Sequence, residues 1–177
     1  DVCSSDLAPQ SFGNFLRIRI FDKVPFKNVY YLNGHATDLE EECTRYTSLL
    51  SQFPTDIVCL GIGENGHIAF NDPDVANFND HKLVKIVKLD HVCRQQQVNE
   101  KCFETLEQVP TEALTLTIPA LLKAKWMFCI VPFKNKSQAV YRTIHGDISE
   151  KCPASILRRK EKSSLYLDTE SAQLLNL

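Results

Sequence analysis

The stretch Asp56-Ile57-Val58-Cys59-Leu60-Gly61-Ile62-Gly63-Glu64-Asn65-Gly66-His67-Ile68-Ala69-Phe70-Asn71-Asp72-Pro73 decides how this chain is read. Its first third, Asp56 to Gly61, is a continuous apolar run, the composition of a strand buried on both faces of a parallel sheet. A glycine-rich turn follows at once. In open α/β sheets, sites form beyond the carboxyl ends of the strands, so this turn stands where a site is expected. Three glycines let the backbone turn sharply and approach a ligand closely. His67 is the side chain suited to moving protons near neutrality, and Asp72 is placed to orient it or hold its cation. Asn65 and Glu64 are further polar candidates. The spacing Gly61-x-Gly63-x-x-Gly66 also fits a dinucleotide fingerprint. That reading fails because Asn71-Asp72-Pro73 interrupts the helix that should carry the pyrophosphate. On residue types alone, a catalytic loop and a structural turn with a satisfied histidine remain equal alternatives.

Outward from this stretch the pattern alternates strand and helix. Upstream, Phe12, Phe15, Leu16 and Ile20 lie near one helical face. Val29-Tyr30-Tyr31-Leu32 reads as a short strand ending at Asn33-Gly34. Thr37-Asp38-Leu39-Glu40 is a capping-box signature opening a helix through Phe53. Downstream, strands are expected at Leu83–Leu89, Leu114–Ile118, Trp126–Val131 and Leu165–Leu167. Helices are expected at His91–Leu106, Asn135–His145 with Gly146 closing it, Ala154–Leu157, and from Thr169 onward. The expected fold is α/β: three layers around a mostly parallel sheet of Rossmann-like topology, incomplete at the N-terminus. Neither repeats nor a linker are visible, so residues 9–177 read as one domain. The start, Asp1-Val2-Cys3-Ser4-Ser5-Asp6-Leu7, lacks Met, is patternless and matches the translated end of a common sequencing adapter. Residues 1–8 are therefore expected to be a non-native leader on an N-terminally truncated chain.

Composition narrows the class. The chain has 177 residues, is 44% hydrophobic and 24% charged, and carries a formal charge of -2. These are the values of an ordinary globular domain, with no electrostatic pointer to nucleic acid or a membrane surface. Apolar runs are strand-sized, far short of a span. Seven cysteines without C-x-x-C favour reduced thiols, with Cys59 and Cys129 expected to be buried, and a cytoplasmic setting. Trp126 reads as core. His35, His81, His91 and His145 are scattered without metal-ligand spacing.

The run GIGENGHIAFNDP, Gly61 to Pro73, resembles the signature of the glucosamine-6-phosphate deaminase (isomerase) family. Other stretches agree in order: Leu32-Asn33-Gly34 with Glu42-Cys43, Val109-Pro110 with Ala113-Leu114-Thr115, Lys136 with Ala139-Val140, and Cys152 to Leu157 with Leu167-Asp168. The likeness runs from about Gln10 to the end. It implies conversion of an amino-sugar phosphate, glucosamine 6-phosphate, into fructose 6-phosphate and ammonia, without metal or organic cofactor. It also implies a place in N-acetylglucosamine catabolism and a hydrolase-class enzyme acting on C–N bonds. A homo-oligomer is compatible with the family, whose members differ in assembly. By position, His67 would open the sugar ring, Asp72 would assist it, and Asn65 stands where many members have an aspartate bonded to the histidine. Lys136 matches a phosphate-binding lysine, and Gly63 and Gly66 belong to the substrate loop. The family's phosphate-binding arginine has no counterpart near Asn99 to Phe103, which leaves Arg94 as the substitute candidate. A glycine-rich phosphate loop and the aspartate base are not found, so this stretch alone is expected to be inactive. The related 6-phosphogluconolactonases, with a loop resembling DGHTASLFP, fit Ile68-Ala69-Phe70-Asn71 less well. A non-catalytic sugar-phosphate sensor on the same scaffold is the other alternative.

Overall fold

The structure is a computed structural model that describes residues 12–99 and 102–176. In chain order it holds helices α1 (Phe12–Leu16) and α2 (Leu39–Gln52), strands β1 (Ile57–Leu60) and β2 (Val84–Lys88), and helix α3 (His91–Asn99). Strand β3 (Glu112–Leu116), helix α4 (Ile118–Leu122), strand β4 (Trp126–Val131), helix α5 (Ser137–His145) and strand β5 (Ser163–Leu167) follow. Single 3-10 turns lie at Lys134–Lys136 and Leu106–Gln108, and a longer one at Pro153–Arg159.

Strands β1, β4 and β5 form a parallel sheet in the order β1-β4-β5. Parallel neighbours need a crossover, and α5 supplies the one between β4 and β5. Strands β2 and β3 pair antiparallel as a separate ribbon, with α2 against it. The mixed α/β class with a parallel sheet is the one expected. Side chains alternate across a strand. In β4 this sends Met127, Cys129 and Val131 inward, where they meet Ile118, Leu121, Val140, Ile156 and Leu157 from α4, α5 and the Pro153–Arg159 turn. Burial pushes the Cys129 thiol up to about 12, so it behaves as a small apolar side chain.

The other face of the sheet carries no layer among the described residues. Ile57 is 55% exposed there, Ile130 50% and Tyr166 53%. Three expectations are corrected by this single fact. Among the described residues β1 is not buried on both faces. Cys59 is exposed rather than buried. Trp126 is also exposed, lying under Lys162 Nζ at 4.8 Å instead of in the core.

Local chemistry explains the remaining differences. Val29 to Leu32 pairs with no strand among the described residues. Its carbonyls are taken by α2 instead: Arg45 Nη2 donates to Tyr31 O at 2.8 Å and the Tyr46 hydroxyl to Tyr30 O at 3.4 Å. The cap of α2 is Asp38, one residue later than the capping box suggested, accepting from the N–H groups of Glu40 and Glu41. β3 ends before Ile118 because Thr117 caps α4, its hydroxyl accepting from Ala120 N at 3.2 Å. Within the described residues α3 reaches Asn99 and residues 102–105 are not helical, and the segment from Asp168 forms turns rather than a helix, with Ser171 N donating to Asp168 Oδ1 at 2.7 Å.

Glu42 ties the segment before Asn33 to α2 and gives a pH test. It accepts from Asn33 N at 2.7 Å and from Arg45 Nε at 2.6 Å. The Arg45 hydrogen bond holds its carboxyl below the usual 4.5 despite burial. A lowered folded value means the stabilisation is complete above pH 4.5 and is lost as pH falls below it through the lowered folded value. Glu42→Gln is expected to cost about 1 kcal/mol at neutral pH, with Arg45's exposure limiting the effect. Urea midpoints of the two proteins should converge on acidification; a constant gap would show that the charge contributes nothing.

Candidate active site

The carboxyl ends of β1, β4 and β5 lead into three loops that touch one another. Asn135 Nδ2, after β4, donates to Glu64 Oε1 in the β1 loop at 2.7 Å. Asp168, after β5, accepts from Phe133 N at 3.0 Å. Backbone bonds shape the β1 loop itself. Gly63 N donates to His67 O at 3.0 Å, Gly66 N to Gly63 O at 2.9 Å, and Ala154 N to Gly66 O at 2.9 Å. Asn71 anchors the exit through Nδ2, which donates to Ile68 O and Leu116 O.

Both candidate glycines have packing reasons to be glycine. The His67 ring lies directly on Gly63: a Cβ there would sit 2.1 Å from Cε1 and 2.3 Å from Nε2. Gly66 has φ 93° and its missing Cβ would come within 2.8 Å of Cys152 Sγ. Among the described residues, two non-glycines also have positive φ, Ala69 at 50° and Phe133 at 80°. They flank His67 and Lys136, and such strain concentrates at functional sites.

His67 is only 12% exposed and its Nδ1 faces two acceptors, Asn65 Oδ1 at 2.8 Å and Asp72 Oδ1 at 2.9 Å. Asp72 is 1% exposed. Burial raises the pKa of its carboxyl, but hydrogen bonding and charge from His67, the Asn65 amide and the Asp90 N–H outweigh that and keep it below the usual range. Nδ1 therefore faces a carboxylate and an amide oxygen, the setting in which it carries the imidazole hydrogen and leaves Nε2 for substrate. His67, Asp72 and Asn65 are thus brought together as the sequence suggested.

Lys136 is 7% exposed, in the turn that enters α5 at the carboxyl end of β4, so it is no solvated helix lysine. Arg94 is placed differently. Its Nη2 donates to Leu106 O at 2.6 Å and Val109 O at 2.8 Å, so the guanidinium ties down a turn and does not support the phosphate role. Two residues of this neighbourhood escaped the sequence reading. Asp90 accepts from Asn65 Nδ2 at 3.1 Å, and Gln96 accepts from Glu64 N at 3.2 Å. Asp90 had one local signal, an acidic residue just before a helix. His67, Asp72 and Cys93 bring one donor atom each within 4.8 Å of one another. Nδ1 of His67 and Oδ1 of Asp72 are already paired with each other, so the trio does not fit an open metal site.

A buried carboxylate paired with a histidine beyond the carboxyl end of one parallel strand, with a buried lysine in the turn beyond the next, defines an α/β protein that gathers acid–base and cationic side chains at one end of its sheet. The sequence pattern of one family, glucosamine-6-phosphate isomerases/6-phosphogluconolactonase, matches residues 3–166. The chain belongs to that family. It is 42% identical over 164 residues to a glucosamine-6-phosphate deaminase of Bacillus cereus (strain B4264), covering 93% of this chain and 61% of that protein. A glucosamine-6-phosphate deaminase of Bacillus cytotoxicus is 41% identical over the same shares. The chain thus spans 61% of the length of these curated relatives. Among solved structures, a monomeric glucosamine-6-phosphate deaminase superposes with TM-score 0.90 at 34% identity, over 98% of this chain and 71% of that one. A 6-phosphogluconolactonase from Thermotoga maritima superposes with TM-score 0.70 at 20% identity over 94% of this chain and 68% of that one, a likeness of fold alone. These names correct one expectation. The relatives are named deaminases and the family description names isomerases beside 6-phosphogluconolactonase, so the hydrolase-class label expected from the sequence is not supported.

Proposed function

We propose that the whole protein deaminates glucosamine 6-phosphate, which with one water gives fructose 6-phosphate and ammonia, and that His67 opens the sugar ring. One observation carries this reading: a single imidazole whose Nδ1 meets Asp72 and Asn65 at 2.9 and 2.8 Å while its ring is clamped on Gly63. Nε2 takes the proton of the C1 hydroxyl, the C1–O5 bond breaks as the carbonyl forms, and the same proton passes to O5. The transient imidazolium is held by Asp72 directly and by the Asn65 carbonyl more weakly. The later transfer of a proton from C2 to C1 needs a second base, which is assigned to no described residue. Lys136 binds the phosphate as a point charge. A place in N-acetylglucosamine catabolism goes with that reaction, and six free cysteines among the described residues accord with a cytoplasmic setting.

The test is ammonia release from glucosamine 6-phosphate by the whole protein and by Lys136→Gln, which keeps most of the buried stem. Hydrogen bonds to charged groups are worth about 1.5–3 kcal/mol, so KM should rise roughly 10- to 100-fold with turnover less affected. An unchanged KM would make Lys136 a packing residue, and no ammonia from the whole protein would end the reading.

A further inference from the structure

Every hydrogen-bonding position of the Asn65 amide is occupied. Oδ1 accepts from the His67 backbone N–H at 3.0 Å and faces His67 Nδ1 at 2.8 Å. Nδ2 donates to Asp72 Oδ1 at 2.8 Å and to Asp90 Oδ2 at 3.1 Å. The two ends of an amide are told apart by their partners. Two carboxylates on one side require the NH2 group there, which leaves the oxygen for His67. Asp90 is itself rigidly placed, because its Oδ1 accepts from Cys93 N at 2.6 Å and its carbonyl from Arg94 N at 3.1 Å at the start of α3.

We infer that Asp90 is a positioning residue: through Asn65 it keeps an acceptor against His67 Nδ1 and so leaves Nε2 without hydrogen, ready for the substrate. Asp72 Oδ1 also faces Nδ1 but is shared with Asn65 Nδ2, so Asn65 Oδ1 supplies the second acceptor that Asp90 holds in place. Without Asp90, turning the amide over would put an NH2 group against the His67 N–H and remove one of the two acceptors at Nδ1. The same contact explains why residue 65 is an amide here. A carboxylate would stand at hydrogen-bond distance from two others with no proton between them. The inference rests on the ring-opening role of His67.

Asp90 also caps α3, and the test must separate the two roles. Asp90→Ser keeps an oxygen for the Cys93 N–H but cannot reach Asn65. In the whole protein, Asp90→Ser should keep a near-wild-type urea midpoint and KM. Its turnover should fall roughly 10- to 100-fold, the range seen when the partner orienting a functional histidine is lost. In an Asn65→Ala background, Asp90→Ser should change turnover less than about twofold, because Asp90 acts through Asn65. Ring ¹⁵N shifts of His67 at alkaline pH should report hydrogen on Nδ1 in the wild type and a mixture of tautomers in Asp90→Ser. Where the serine variant does not fold, Asp90→Asn, which keeps size and cap acceptor, carries the same expectations. Wild-type turnover with an unchanged tautomer, or losses that multiply in the double variant, would overturn the inference. Wild-type turnover in His67→Asn would instead remove the ring-opening reading, while the tautomer measurement still reports on Asp90.

Discussion

His67→Asn in the whole protein is expected to lower turnover of glucosamine 6-phosphate roughly 10²–10⁴-fold, the usual contribution of a positioned general acid–base group, with KM within a few-fold. Asparagine keeps an amide near the ring position but has no basic nitrogen. The fold should tolerate it, because His67 makes its backbone bonds to Gly63 and Asn65 whatever its side chain. The loss should therefore appear in turnover and not in the urea midpoint. Near-wild-type turnover on cyclic substrate would leave His67 a structural histidine, and Asp72 would then merely satisfy a buried imidazole.

Gly63→Ala is expected to approach the same loss without touching the imidazole chemistry. A Cβ at residue 63 would sit 2.1 to 2.4 Å from three ring atoms of His67, where real contacts do not fall below 3.0 Å. The ring must move by about 1 Å, and misplacements of that size cost roughly 10²-fold in catalysis. Overpacking should also cost about 1–3 kcal/mol of stability. A wild-type rate from Gly63→Ala would mean that the ring is not held where it is seen. Gly66→Ala is a useful contrast, since it strains the backbone and presses on Cys152 rather than on His67.

What could be read from sequence follows from where the information lies. β1 and its loop were legible because an apolar run, three glycines, a histidine and an acid are all local to Asp56–Asp72. Lys136 was legible through the family resemblance, and its burial agrees with a site role more than with a solvated face. Asp90 was not, because its link to Asn65 spans 25 positions and depends on how β2 enters α3. Arg94 misled because a charge near the right place says nothing of the carbonyls at Leu106 and Val109 that claim it. The same limit applies to Cys59 and Trp126. Their apolar neighbours fix a strand, but which face a layer covers is a tertiary property.

The most direct test of ring opening by His67 compares two substrates in one pair of proteins. Ammonia release by wild type and His67→Asn is measured on glucosamine 6-phosphate and on an analogue lacking the hydroxyls that close the ring. If His67 acts only on the ring, the roughly 10²–10⁴-fold defect on the cyclic sugar should shrink to a few-fold on the open one. A defect of equal size on both substrates would contradict it, and would place His67 in a later step.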